Sequence, residues 1–170
     1  MAKSVDIAFA PAVCDESRVL VLGSMPGQAS LAARGYYAHP HNAFWRIVED
    51  VLGVPRALPY DERLSAVVGL GLGLWDVVAA AHRPGSLDAD IDDDTIEVAD
   101  IAGLLEARPH IALVVTNGGK ATSLYQRHVA PSLPVTAPPW QALPSTSPAH
   151  ASMPYEQKRA RWAEALARVL

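Results

Sequence analysis

At 170 residues the chain is the size of one ordinary domain, and half of it is hydrophobic while 19% is charged, which excludes a disordered polymer. No long apolar run is free of Gly, Pro and charge, which excludes a membrane-spanning helix, and the single cysteine, Cys14, excludes an intramolecular disulfide, a four-cysteine zinc site and a cysteine-held iron–sulfur cluster. The net charge of −4 excludes a protein that coats nucleic acid by charge alone, although an enzyme with a local basic rim is still allowed. No signal-peptide pattern opens the chain, so one domain over residues 1–170, cytoplasmic, monomeric and without cofactor or metal, is the simplest expectation.

Residues 18–22 (RVLVL) form a short β-branched and aliphatic run of the kind that makes a strand buried on both faces. It runs into GSMPG at 23–27, where Pro26 sets a turn and Gly27 permits close backbone approach. Helical periodicity begins only near Asn42, with Phe44, Trp45, Val48, Val51 and Leu52 on one stripe that stops at Gly53. About eighteen residues therefore join strand to helix, well above the usual few. Because open α/β sheets bind ligands at the carboxyl ends of their strands, this loop is placed for a ligand.

Beyond it, helices are expected over 60–68, 99–107 and 118–129, the last starting after Asn117-Gly118-Gly119 and ending before Pro131. Strands are expected over 72–78, 111–116 and 141–146, the last peripheral because Pro144 removes a ladder donor. The final helix is the clearest: Pro154 suits its first turn, and Tyr155, Trp162, Leu166 and Val169 share one face against an Arg- and Lys-rich side. Alternating strands and helices predict a three-layer α/β/α sandwich around a central, mostly parallel four-stranded sheet.

Common fingerprints fail on spacing. Gly69, Gly71 and Gly73 would need a further glycine at Leu74, and they enter a strand where a dinucleotide loop needs a helix. A phosphate loop ending at Lys120 would open on Val114 and close on Ala121. Asp88, Asp90 and Asp92 have calcium-loop spacing, yet Asp93 stands where the glycine is needed, so a solvated acidic loop is the reading. Ser24 and the run Ser145, Thr146, Ser147 each follow a strand and meet at one sheet edge near His39, His41 and His150. A serine hydrolase is therefore a competing reading, although no G-x-S-x-G elbow exists.

The loop Tyr37-Ala38-His39-Pro40-His41-Asn42-Ala43-Phe44-Trp45, preceded by GSMPG and followed by LPSTSPAH, resembles the uracil-DNA glycosylase superfamily. The similarity is closest to its hypoxanthine-DNA glycosylase branch. The blocks 74–77 (LWDV), 83–88 (RPGSLD) and 116–121 (TNGGKA) resemble that branch's intermediate motifs in the same order, so the resemblance spans residues 19–162.

That resemblance implies an enzyme that flips a deaminated nucleotide, carrying hypoxanthine or uracil, out of DNA and hydrolyses its N-glycosidic bond. Extraction costs a few kcal/mol, which the pocket must return by stacking and edge hydrogen bonds. Tyr37 occupies the base-stacking position, though an ordinary half-buried tyrosine is the alternative, while Tyr36 reads as packing. Gly23, Ser24, Met25, Pro26 and Gly27 would line base and water, with His39 beside them. Related branches place an acid or amide at Ser24, so water positioning falls to Asn42; simple capping of the following helix competes with that role. Asn117 either reads a base edge or supports a turn. Asp76 either lends a charge near the pocket or makes a structural hydrogen bond.

Ser145, Thr146, Ser147, Pro148, Ala149 and His150 would face the DNA strand. Relatives often carry Asn where this chain has His150, which leaves phosphate contact, groove support and solvent exposure all open. Lys120, the one lysine inside the matched core, reads as a DNA-phosphate or structural residue and not as a Schiff-base nucleophile, so an abasic product without strand cleavage is expected. A damaged-DNA-binding module without turnover is the nonenzymatic alternative.

Overall fold

The computed structural model describes residues 2–170. In chain order its elements are β1 (Asp6–Ile7), β2 (Val19–Gly23), α1 (Gln28–Ala33), α2 (Phe44–Leu52), α3 (Tyr60–Gly69), β3 (Leu72–Asp76) and β4 (Val78–Ala81). There follow β5 (Glu97–Val98), α4 (Ile101–Ala107), β6 (Leu113–Asn117), α5 (Gly119–Leu124), β7 (Trp140–Leu143) and α6 (Tyr155–Ala167).

Four strands pair in parallel in the order β3-β2-β6-β7. Because side chains alternate across a strand, the apolar runs feed both faces of this sheet. Val19, Val21, Leu72, Leu74, Leu113 and Val115 bury against Phe44, Ile47 and Val48 of α2, Val67 of α3 and Trp162 of α6. Leu20, Leu22 and Val114 bury on the other side with Ile101 and Leu105 of α4, Leu124 of α5 and Tyr125. Each full burial of such a side chain contributes about 1.5–3 kcal/mol, so the sheet is fixed from both faces. The three-layer α/β/α architecture is as the residue pattern predicts.

Several local expectations need correction. The long connection after β2 holds a short helix, α1, which ends at Arg34 in the left-handed region (φ 54°); its run QASLAA is too short to display a periodicity. The strand expected over 72–78 is two strands. The chain leaves the parallel sheet at Val77, whose N–H donates to Gly23 O, and β4 then pairs antiparallel with β1 and β5 in a separate three-stranded sheet. Apolar sequence on both sides of Asp76, across 74–81, hides that break. The strand expected over 141–146 stops at Leu143, and Pro144 O instead accepts from Trp162 Nε1 at 3.0 Å. The helix over 118–129 is α-helical only to Leu124 and finishes as a π-helical turn over Tyr125–Val129. Other ends agree with their signals: Gly53 closes α2 at φ 72°, and Asp100 caps α4 through Gly103 N.

Strand order places β2 between β3 and β6, so the chain leaves β2 toward one side and passes to the other only at β6. The loops after β2 and β6 diverge there, which opens a crevice at the carboxyl edge of the sheet.

Candidate active site

A cavity of about 680 Å³ fills that crevice, a size that suits a small organic ligand. Its lining includes Gly23, Ser24, Met25, Pro26, Gly27, Tyr37, His39, Asn42 and Asn117, together with 145–150 from the loop after β7. The two halves of the motif pattern, some hundred residues apart, therefore form one site. Lys120 is absent from the lining; its ammonium pairs with Asp93 at 2.7 Å.

Tyr37 is held in the left-handed region at φ 56°, which is rare for a bulky residue and persists only where neighbours over-determine it. Those neighbours do so. Tyr36 N donates to Tyr60 Oη at 2.9 Å, Tyr36 Oη to Ala10 O at 2.8 Å, Trp45 Nε1 to Tyr36 O at 2.9 Å, and Ala38 N to Ser30 Oγ at 3.2 Å. Tyr36 thus anchors the loop, and Tyr37 is presented to the cavity. One face of its ring stacks on Phe44, with centroids 4.1 Å apart and planes 27° apart. Its hydroxyl is buried and makes no well-formed hydrogen bond among the described residues, the Asn117 amide being the near donor. Burial, with the Asp76 charge adding and the Asn117 amide opposing, raises this phenol well above its ordinary value.

Asn42 sits at the entry to α2, where its Oδ1 accepts from Phe44 N at 2.9 Å. That is a capping bond, and it uses one of two lone pairs on the carbonyl oxygen. The second lone pair suits a water in the cavity. His39 Nδ1 accepts from His41 N at 3.1 Å, which keeps the exposed HPH segment folded back on itself.

Asn117 makes a reciprocal pair with Thr146: its Nδ2 donates to Thr146 Oγ1 and its Oδ1 accepts from Thr146 N, both at 3.0 Å. Thr146 O accepts from Ala43 N at 2.9 Å. The carboxyl-end loop is thus stapled to β6 and to the start of α2. Gly118, at φ 95°, lies so close to Ser145 that a Cβ would meet Ser145 Cβ at 2.8 Å. Farther along, Ser147 N donates to Ser145 Oγ and Ala149 N to Ser147 Oγ. Lys158, expected on the charged face of the last helix, is instead buried and donates to His150 O at 2.6 Å. Burial lowers its ammonium below the ordinary lysine value.

The side opposite this staple carries groups to which the sequence reading gave no firm role. Asp76 ends β3 beside Gly23 of β2, is 4% exposed, and leaves its Oδ2 buried without a partner. Burial pushes its carboxyl up to about 7; Arg83 opposes that rise and Asp88 adds to it. Arg83 is 3% exposed and holds the carbonyls of Met25 and Pro26, which shapes the GSMPG turn. Ser24 Oγ donates to Asp88 Oδ1. The acidic loop is therefore more than a solvated face: Asp88 reaches the pocket, Asp92 pairs with Lys3, and Asp93 pairs with Lys120. The RPGSLD block was visible as a motif, but only the fold shows that it closes over GSMPG.

A family model described as the uracil DNA glycosylase superfamily matches residues 10–170. A hypoxanthine DNA glycosylase of Methanosarcina acetivorans is 40% identical over 113 residues, 65% of this chain and 70% of that protein. Its counterpart from Methanosarcina barkeri is 37% identical over 114 residues, 66% of this chain and 71% of that protein. The fold resembles the solution NMR structure of a candidate uracil DNA glycosylase from Methanosarcina acetivorans, with a TM-score of 0.76 at 29% identity, covering 95% of this chain and 98% of that one.

Proposed function

This chain belongs to the uracil DNA glycosylase superfamily, and on that premise we propose that it is a DNA repair glycosylase that flips a deaminated base, hypoxanthine ahead of uracil, into the crevice and hydrolyses its N-glycosidic bond. The observation that carries this reading is the convergence of Tyr37, Asn42 and the GSMPG turn on one cavity at the sheet's switch point. The relatives named for hypoxanthine excision support the order of preference.

The chemistry asks little of the protein beyond placement and charge stabilisation. As the bond to the base breaks, positive charge grows on the sugar and negative charge on the departing base. Tyr37, backed by Phe44, offers its free face for stacking and so offsets part of the cost of extrusion. Asn42 Oδ1 caps α2 and, through its second lone pair, orients the attacking water. Ser24 stays bound to Asp88 and contributes shape and backbone to the water site. The Asn117–Thr146 pair holds the loop from Ser145 to His150 against the DNA strand, with His39 at the mouth.

Lys120 is committed to Asp93, which favours a monofunctional enzyme that leaves an abasic site uncut. We read the chain as one glycosylase domain over 1–170, acting as a cytoplasmic monomer. Among the described residues no helix is long and apolar enough to cross a membrane.

Duplex oligonucleotides carrying hypoxanthine, uracil or xanthine provide the test. Alkali after incubation should cut at hypoxanthine fastest and uracil next, and the strand should stay intact without alkali. No cleavage at any lesion would sink the enzyme reading; a borohydride-trapped adduct at Lys120 would overturn the monofunctional one.

A further inference from the structure

Three buried polar atoms on residues lining this end of the cavity have no hydrogen-bond partner among the described residues: Asp76 Oδ2, Tyr37 Oη and Arg83 Nε. Asp76 and Tyr37 close on the same small spot, the Cα of Gly23. A Cβ there would collide with Asp76 Oδ1 and meet Tyr37 Oη at 3.5 Å. Leaving a buried polar atom unpaired costs about 1–3 kcal/mol, so three at one end of the cavity mark a place where a ligand supplies missing partners. Arg83, the cation acting on Asp76, bonds the carbonyls of Met25 and Pro26 through its two terminal nitrogens and leaves Nε unpaired. Among the described residues no ion pair holds Asp76 in its charged form.

Hypoxanthine and uracil, the two bases of the reading above on which this argument rests, share one recognition edge: a ring carbonyl beside a ring N–H. A carboxylate facing that carbonyl would repel it, and the repulsion would grow as the base takes on negative charge. A carboxylic acid does the reverse. We infer that Asp76 is a further catalytic residue, a neutral acid whose O–H donates to the carbonyl oxygen of the departing base while its other oxygen accepts from the adjacent ring N–H.

The electron pair of the broken C1′–N bond leaves with the base, the water oxygen bonds to C1′, and one water proton ends on the base. Asp76 donates a hydrogen bond that shortens as charge grows and is not consumed. Such a preorganised donor in a dry site is worth about 10²–10³-fold in rate. The groups facing Asp76 agree with a neutral acid. Asp88 disfavours its ionisation, Arg83 opposes that only in part, and the Tyr36 and Tyr37 phenols both remain protonated.

The test is single-turnover excision from hypoxanthine and uracil duplexes across pH 5.5 to 9 (roughly the range that brackets this titration), with wild type, Asp76→Asn and Asp76→Ala. Wild type should lose about tenfold per pH unit once Asp76 ionises. Asp76→Asn keeps a donor without a titration, so it should lack that fall and overtake wild type at the alkaline end. Asp76→Ala should be about 10²–10³-fold slower throughout. Ionisation of the base itself occurs with every enzyme and cancels in the rate ratios, and binding of a non-cleavable duplex checks that each variant is folded.

A wild-type rate that climbs with pH while Asp76→Asn is dead at every pH would make Asp76 a base acting on water and overturn the inference. An alkaline fall shared by wild type and Asp76→Asn would reduce Asp76 to structure and overturn it as well. Failure of wild type to release either base would strike the glycosylase reading itself, and the inference with it.

Discussion

The two walls of the crevice are built from similar residue types and finished in opposite ways. On the wall formed by Asn117, Gly118 and the loop from Ser145 to Ser147, the Asn117 amide and Thr146 are paired reciprocally to each other. On the wall formed by Gly23, Tyr37 and Asp76, two buried polar atoms have no partner and Tyr37 sits at φ 56°. Satisfied polar groups rigidify; unsatisfied, strained ones store free energy that a ligand releases. Under the proposed function the first wall acts as a clamp and the second as the reactive surface, although both descend from the same parallel sheet.

The largest expected effect tests the junction of the two walls. Asn42→Ala should slow single-turnover excision by about 10²–10³-fold while costing only about 1 kcal/mol of stability through the lost cap. Full activity with lowered thermal stability would assign Asn42 to the clamp. Next comes Gly23→Ala, whose new Cβ collides with Asp76 Oδ1. It should cut excision by roughly 10²-fold through misplacement of the reacting groups, measured against retained far-ultraviolet circular dichroism. An unimpaired Gly23→Ala would show that the reactive wall tolerates crowding, and the contrast would weaken.

A third effect distinguishes the walls by pH. Folding raises the carboxyl of Asp76 to about 7, so its neutral form favours the folded chain in acid. That contribution fades as pH climbs from the ordinary carboxylate range through about 7. Asp76→Asn should therefore exceed wild type in urea-unfolding stability at pH 8 by an amount on the order of a few kcal/mol, and the gain should shrink toward pH 4. An equal difference at both pH values would remove the charge argument. On the clamp, Asn117→Ala leaves Thr146 N and Oγ1 without their partner and should cost about 1–3 kcal/mol with no such pH dependence. The smallest effect is expected at Lys120. With its ammonium paired to Asp93, Lys120→Ala should change stability by about 0.5 kcal/mol or less and leave the salt dependence of DNA binding nearly unchanged. A slope reduced by about one would restore the phosphate role.

Much of this was legible before folding. The apolar runs in β2, β3 and β6, the stop at Gly53 and the stripe of α6 follow from period and composition, because burial on both faces of a parallel sheet imposes them. The motifs around Ser24, Tyr37, Asn42 and 145–150 were visible as motifs, and they do share one cavity. Illegible were α1, too short for a period, and the break at Val77, masked because both sheets demand apolar residues. Lys158 was misread as a surface charge, since nothing local says that this lysine is buried with its ammonium on the carbonyl of His150.

By itself, then, the amino-acid sequence determined the layered architecture, the family and the segments that meet at the site, since each depends on periodicity or short contiguous motifs. Tertiary structure alone decided which polar groups in those segments are satisfied. Asn117 and Asp76 both end parallel strands, and only the packing gave one a reciprocal partner in Thr146 and left the other beside the cavity with a buried, unpaired oxygen. Hydrogen-bond satisfaction and desolvation are properties of neighbours brought together across the chain, and no local pattern encodes them.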